Sequence, residues 1–267
     1  MAISINGPAL PSPNDAQIQR SFARISSGSR INSAADDPAG LSIATRISSR
    51  ISGFSTAIRN AGDGISLSQT AQGSLGQVTD NLQRIRQLAL QASNGVYNDS
   101  DRAALQQEAA QILESTRQLL KQSNFNGVNL FDSSDEHRFQ AGAEGGEQIV
   151  LEGRNLVQEL SNFGLESLDI SSQQGAISAV SVIDDSLQAT VDRAAQFGAL
   201  SNRFEAGIRE LETAHLNATE ARSRIADTDI AAESANLATQ KILTQAQIAI
   251  RAQANAQARF VLNLLSG

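Results

Sequence analysis

The 267-residue chain contains no cysteine, no tryptophan, one tyrosine and nine phenylalanines. Without cysteine, disulfides, thiolate nucleophiles and cysteine-ligated zinc are all excluded. The bulky rings that usually fill a globular interior are scarce, so Ile, Leu, Val and Ala must do the packing. That palette suits long helices laid side by side at close interaxial distance. No run of about 18 apolar residues marks a membrane span. The start of the chain also lacks the basic residues and continuous apolar stretch of a cleaved secretory signal, so an exported form is expected to leave the cell by another route.

Charge is limited and unevenly placed. The chain carries a net charge of -7, yet residues 1–35 and 234–267 together sum to +5, which leaves -12 for the middle. Six basic residues spread over two segments, with no aromatic interleaving, make a poor phosphate track, so no nucleic-acid partner is expected. His137 and His215 are the only histidines. His215 has Leu211 and Ala218 on its face, which reads as a satisfied or interface histidine rather than a metal ligand. Asp36-Asp37 could pair carboxylates for acid–base work, but the Pro38 that follows makes helix capping the economical account. No polar cluster suggests catalysis, a metal or a cofactor, and the chain is expected not to be an enzyme.

What the chain has is helical periodicity. From Asp37-Pro38 onward, Ile47, Ile51, Phe54, Ile58, Ala61, Ile65, Ser68, Ala71, Leu75, Val78, Leu82, Ile85, Ala89 and Ala92 step by threes and fours. Two successive steps of three around Ser68 would locally overwind a coiled-coil seam. Gly95 is expected as a left-handed C-cap, giving a helix of roughly 80 Å. A second helix is predicted over 99–123. Between about 125 and 172 the Gly-rich texture and runs such as Gln148-Ile149-Val150-Leu151 predict turns and small strands. Gly142-Ala143-Glu144-Gly145-Gly146 lacks the ending of a phosphate loop and reads as a hairpin turn. Heptads return from Ala176 through Ile183, Phe197, Phe204 and Leu211 to Ile225.

Asp227-Thr228-Asp229 breaks this seam and starts a last helix to about Leu265, with Ile, Leu or Ala on nearly every face. Such a helix must be buried all round. A short helix over 14–27 is its only visible partner, because Pro8, Pro11 and Pro13 forbid regular helix before it. Neighbouring copies would therefore have to cover it. The expected polymer core comprises Leu237, Ile242, Leu243, Ile248, Ile250, Phe260, Val261, Leu262, Leu264 and Leu265. On another helix, Arg84 and Leu88 stand at i and i+4 and can form a joint patch, with Glu108 nearby if two helices form a hairpin. From spacing alone, a solvated helix face is the preferred reading.

Several segments are distinctive in combination. Ile25-Ser26-Ser27-Gly28-Ser29-Arg30-Ile31-Asn32, Ala34-Ala35-Asp36-Asp37-Pro38-Ala39-Gly40, Asn60-Ala61-Gly62-Asp63-Gly64-Ile65, Phe125-Asn126-Gly127, Phe139-Gln140-Ala141-Gly142-Ala143 and Gln253-Ala254-Asn255 resemble bacterial flagellin motifs. The chain is similar to a short flagellin without variable outer domains. The resemblance implies a terminal inner-tube domain from residues 1–37 and 227–267, around which residues 38–226 form a coiled-coil domain with its β region at about 125–172. It implies a mainly α fold of long antiparallel helices, self-assembly into a motility filament, and an extracellular location. It also implies a flagellar export apparatus and a secretion chaperone as partners, and contact with a host Toll-like receptor through Arg84, Leu88 and Glu108. The N-terminal helix resembles the family's helix shortened by about two turns. A hook–filament junction protein is the nearest alternative, and a cytosolic coiled-coil adaptor is one of a different class.

Overall fold

The computed structural model describes residues 13–265. Six α-helices occur among them: α1 Pro13–Ser27, α2 Pro38–Ala92, α3 Asp99–Gln122, α4 Leu156–Asn162, α5 Gln173–Ala226 and α6 Ile230–Leu265. Strands β1 Asn124–Phe125 and β2 Val128–Asn129 form one antiparallel hairpin, and β3 His137–Gln140 and β4 Gln148–Leu151 form another. The mainly helical fold with a small hairpin region is thus the one expected. The chain divides into two compact units, Met1–Ser49 with Leu216–Gly267, and Arg50–His215.

In the central unit, 50–215, the stepped residues of α2 are the core. Ala71, Leu75, Val78, Leu82, Ile85, Ala89 and Ala92 are all fully buried. They pack in one cluster with Ala109 and Leu120 of α3, Leu156 and Leu160 of α4, and Ile183, Phe197 and Phe204 of α5. The scarce aromatics are concentrated here. Phe131 meets Phe197 edge-on at 6.2 Å, and Phe139 meets Phe204 at 5.2 Å. Gly64 is where Phe204 lies against α2, and a Cβ at that position would overlap the ring.

Several local expectations need correction. Gly95 does not adopt the left-handed conformation of a C-cap glycine, since among the described residues the glycines of positive φ are Gly28, Gly127, Gly146 and Gly164. Instead α2 ends at Ala92, and Arg102 of α3 holds that end by donating to the Ala92 carbonyl at 2.9 Å and the Asn94 carbonyl at 3.1 Å. Asn98 starts α3 with a reciprocal capping box to Asp101. Asn126 (φ 51°) and Gly127 (φ 81°) make a two-residue turn whose twist matches the β1–β2 hairpin. The Gly142–Gly146 segment does turn between β3 and β4. The predicted strand region also holds α4, opened by the Asn155 side chain accepting from the Gln158 amide at 2.8 Å.

The buried face of α5 is wider than one heptad seam. Besides Ala176, Ile183, Thr190, Phe197, Phe204 and Leu211 it includes Ala179, Ser186, Ala189, Arg193 and Leu200. A single seam serves a helix with one neighbour; α5 also meets Phe139 of the β3–β4 hairpin through Phe204 and Phe131 through Phe197, so a second stripe is buried. Polar side chains add specific ties between helices. Asn81 of α2 donates to Thr116 of α3 at 3.1 Å, and Arg86 of α2 donates to Asp184 of α5 at 2.7 Å. That bond raises the pKa of the Arg86 guanidinium and lowers that of the Asp184 carboxyl.

Candidate functional site

The terminal unit is built from α1, the segment after it, the first turns of α2, the last turns of α5, and α6. Helix α1 begins on Pro13, where a missing amide proton costs nothing. Pro8 and Pro11 lie outside the described residues. At the other end Gly28 takes φ +68°, a left-handed conformation that closes a helix without a Cβ penalty. The chain then crosses to the α5–α6 junction. The Arg30 amide donates to the Ala226 carbonyl at 2.6 Å, and the Thr228 amide donates to the Gly28 carbonyl at 3.0 Å. Ser29 Oγ reaches the Ala226 carbonyl at 2.9 Å, while Arg30 Nη2 donates to Ile225 O at 2.6 Å. A guanidinium at the C-terminal carbonyls of α5 also suits the negative end of the helix dipole.

The next loop is tied by Asp36, which accepts from the Asn32 amide at 3.2 Å and from the Ser33 amide and hydroxyl at 3.0 Å. The Ser33 hydroxyl, followed by the Asn32 amide, holds its carboxyl below the usual aspartate range. Asp37 caps α2 by accepting from the Gly40 amide at 2.8 Å. A Cβ at Gly40 would lie 2.7 Å from Ile31 Cδ1. This explains Pro38-Ala39-Gly40: proline starts the helix, and glycine lets buried Ile31 close on it. The economical reading of Asp36-Asp37 as structural therefore has a geometry. The Ser29-Arg30 link was not read from the sequence, although its glycine and arginine stand inside the quoted motif.

Helix α6 starts under Asp229, which accepts from the Ala231 and Ala232 amides at 2.9 and 3.0 Å. It packs against α1, with Arg24 3.8 Å from Glu233. Its less exposed residues include Glu233, Leu237, Gln240 and Thr244. These recur at three- and four-residue spacing, so they share one face. Away from that face, Ile242 is 65% exposed, Ile250 67% and Phe260 75%. Leu243, Ile248 and Val261 are exposed as well. At about 100° per residue, Ile242, Leu243, Ile250, Phe260 and Val261 fall within one stripe about 100° wide, with Ile248 on another side. Ile230, Leu237 and Ile248 stand on the side opposite that stripe, so large apolar residues occupy two sides of α6. The side chains of Leu262, Leu264 and Leu265 lie outside the described residues.

The other proposed contact site is in the central unit. Arg84 Nη2 donates to Glu108 Oε1 at 2.6 Å, joining α2 to α3. Leu88 is 1% exposed and belongs to the core. The structure thus brings Arg84 and Glu108 together at the surface, while Leu88 faces inward and forms no joint surface patch with them. His137 is on β3, and both His137 and His215 are half-buried. Among the described residues, no group of three or more His, Asp or Glu is placed to hold a metal.

The bacterial flagellin N-terminal helical region matches residues 5–136, and the corresponding C-terminal helical region matches residues 180–265. A flagellin of Halalkalibacterium halodurans is 39% identical, over 99% of this chain and 100% of its own. The chain belongs to the bacterial flagellin family. Its function is accordingly structural, that of a filament subunit. The flagellar filament 30.7 kDa core protein of Treponema maltophilum is 35% identical, over 95% of this chain and 94% of its own. Among solved structures, the flagellin of Bacillus cereus is similar at a TM-score of 0.52 and 25% identity, over 57% of this chain and 88% of its own. A Vibrio parahaemolyticus chain assigned as flagellar hook-associated reaches a TM-score of 0.60 at 15% identity, over 72% of this chain and 100% of its own. At that identity the likeness is one of fold alone.

Proposed function

We propose that this flagellin polymerises by burying the uncovered stripe of α6, together with α1, against the same helices of neighbouring copies. The observation that carries this reading is the row Ile242, Leu243, Ile250, Phe260 and Val261, each at least half exposed in the single chain. Apolar surface removed from water contributes about 25 cal/mol per Å², so repeated burial of such side chains favours assembly. Identical copies joined head to tail by a contact that does not close grow a helical polymer. In this reading residues 1–37 and 227–267 form the inner layer of a filament, and residues 38–226 surround it. Export before assembly, through a flagellar export apparatus with a secretion chaperone, would place the filament outside the cell.

A host Toll-like receptor contact is a further reading, supported by the exposed Arg84–Glu108 pair; buried Leu88 could act there only by supporting Arg84. The test of assembly is the critical concentration for filament growth of Ile250→Asp, followed by electron microscopy. Filaments growing from the variant at the wild-type threshold would overturn the proposed interface.

A further inference from the structure

The central unit holds a charge that the assembly reading leaves unused. Arg193, on the face of α5 toward β4, is 2% exposed. Its Nη1 donates to the Glu152 carbonyl at 3.2 Å and to Gln196 Oε1 at 2.9 Å, and its guanidinium lies 4.8 Å from the centre of the Phe197 ring. Its buried Nε–H has no hydrogen-bond partner among the described residues. Nor does any carboxylate among the described residues form an ion pair with it; the nearby Arg154 instead pairs with Glu159. Burial, and then the charge of Arg154, pull the Arg193 guanidinium below its ordinary pKa, with Glu159 and Glu152 acting in the opposite sense. A buried cation with an unused donor is costly unless something completes it.

Beside it lies a cleft of about 220 Å³ between β4 and α5. Val150 and Leu200 form apolar walls, Arg193, Gln196 and Arg203 supply donors, and Glu152 is the one acid in the lining. Positions 193, 196, 200 and 203 are separated by three, four and three residues, which puts them on one face of α5. We infer that this cleft is an oxyanion subsite, in which Arg193 and Gln196 receive a phosphate or carboxylate group and the exposed Arg203 closes over it. Guanidinium groups suit this role because their fixed fork of donors matches such oxygens, and partial desolvation strengthens each charge-assisted bond. Two sources can present that chemistry: a free inorganic anion, or a carboxylate side chain of a neighbouring copy.

Opposite rim substitutions test the inference without touching the buried arginine. The full chain is held below its assembly threshold and titrated with inorganic phosphate while the Arg193 Nε–Hε resonance is followed by NMR. A saturable shift in the wild type is expected, with binding weakened about tenfold in Arg203→Gln by loss of a charged donor and tightened in Glu152→Gln by removal of a repelling carboxylate. In the second arm the critical concentration for assembly is compared among the same three proteins. If phosphate does not bind the single chain but Arg203→Gln raises the threshold and Glu152→Gln lowers it, the oxyanion is a neighbour's carboxylate. An Arg193 signal indifferent to phosphate together with equal thresholds overturns the subsite, as does phosphate binding that neither rim substitution alters. None of these outcomes depends on the apolar stripe of α6, so that interface and the subsite fail separately.

Discussion

Gly64 and Gly73 both lie in α2, yet they should respond to alanine with opposite signs. Alanine is favoured over glycine in a helix by about 1 kcal/mol. At Gly73 an added Cβ meets nothing within 4 Å, so Gly73→Ala is expected to stabilise by roughly that amount. At Gly64 it meets the ring of Phe204, which is fully buried and braced against Phe139. Overpacking of that kind costs about 1–3 kcal/mol and should outweigh the propensity gain. Urea unfolding of the two variants gives the signs directly, and a stabilised Gly64→Ala would mean that Phe204 has room to move. A second residue-level expectation concerns pH. Hydrogen bonds to the charged form keep the Asp36 pKa below 3.8, so its contribution to stability is present above that value and is lost as pH falls through the lower folded one. The stability difference between wild type and Asp36→Ala should therefore be constant near neutrality and shrink in acid. A difference that grows in acid would reverse the assigned sign.

At the scale of elements, α6 and α3 should tolerate a new carboxylate very differently. Ile250 stands in the exposed stripe of α6, while Gln107 is an exposed residue of α3. In the free chain both substitutions to Asp are solvated and should change stability by no more than about 0.5 kcal/mol. In the polymer, Ile250→Asp would bury a charge with no assured partner, at a cost of several kcal/mol per contact. Since each 1.4 kcal/mol shifts an equilibrium about tenfold, its critical concentration should rise by orders of magnitude while that of Gln107→Asp stays near wild type. Sedimentation across a dilution series separates the two. The element scale also shows why periodicity located helices better than their ends. Stepped apolar residues mark a buried face over many turns, whereas the end of α2 depends on Arg102, a residue of the next helix.

At the scale of the whole molecule, the two compact units predict separable behaviour. Removing residues 234–267 takes away most of α6 but none of the core cluster of Arg50–His215. The truncated chain should keep the helical circular dichroism and cooperative unfolding of the central unit while failing to sediment as filaments. Filaments of normal length from the truncation would contradict assembly through α6. Loss of all cooperative unfolding would instead show that the central unit depends on the chain ends.

The sequence by itself determined the helical class, the extent of α2, α3, α5 and α6 to within a few residues, and the family. These properties are local or repetitive: apolar spacing, Asp-Pro and Asp229 caps, and contiguous motifs can be read without knowing what lies opposite. Tertiary structure alone decided that Leu88 is core while Arg84 and Glu108 share the surface, because residues one turn apart lie on nearly the same side of a helix and only the elements packed over them separate buried from exposed. It also decided that Gly28, Ser29 and Arg30 tie α1 to the α5–α6 junction almost two hundred residues away, and that Arg193 is buried without an ion-pair partner among the described residues. Such facts depend on which distant backbone groups meet, and a one-dimensional pattern contains no record of that meeting.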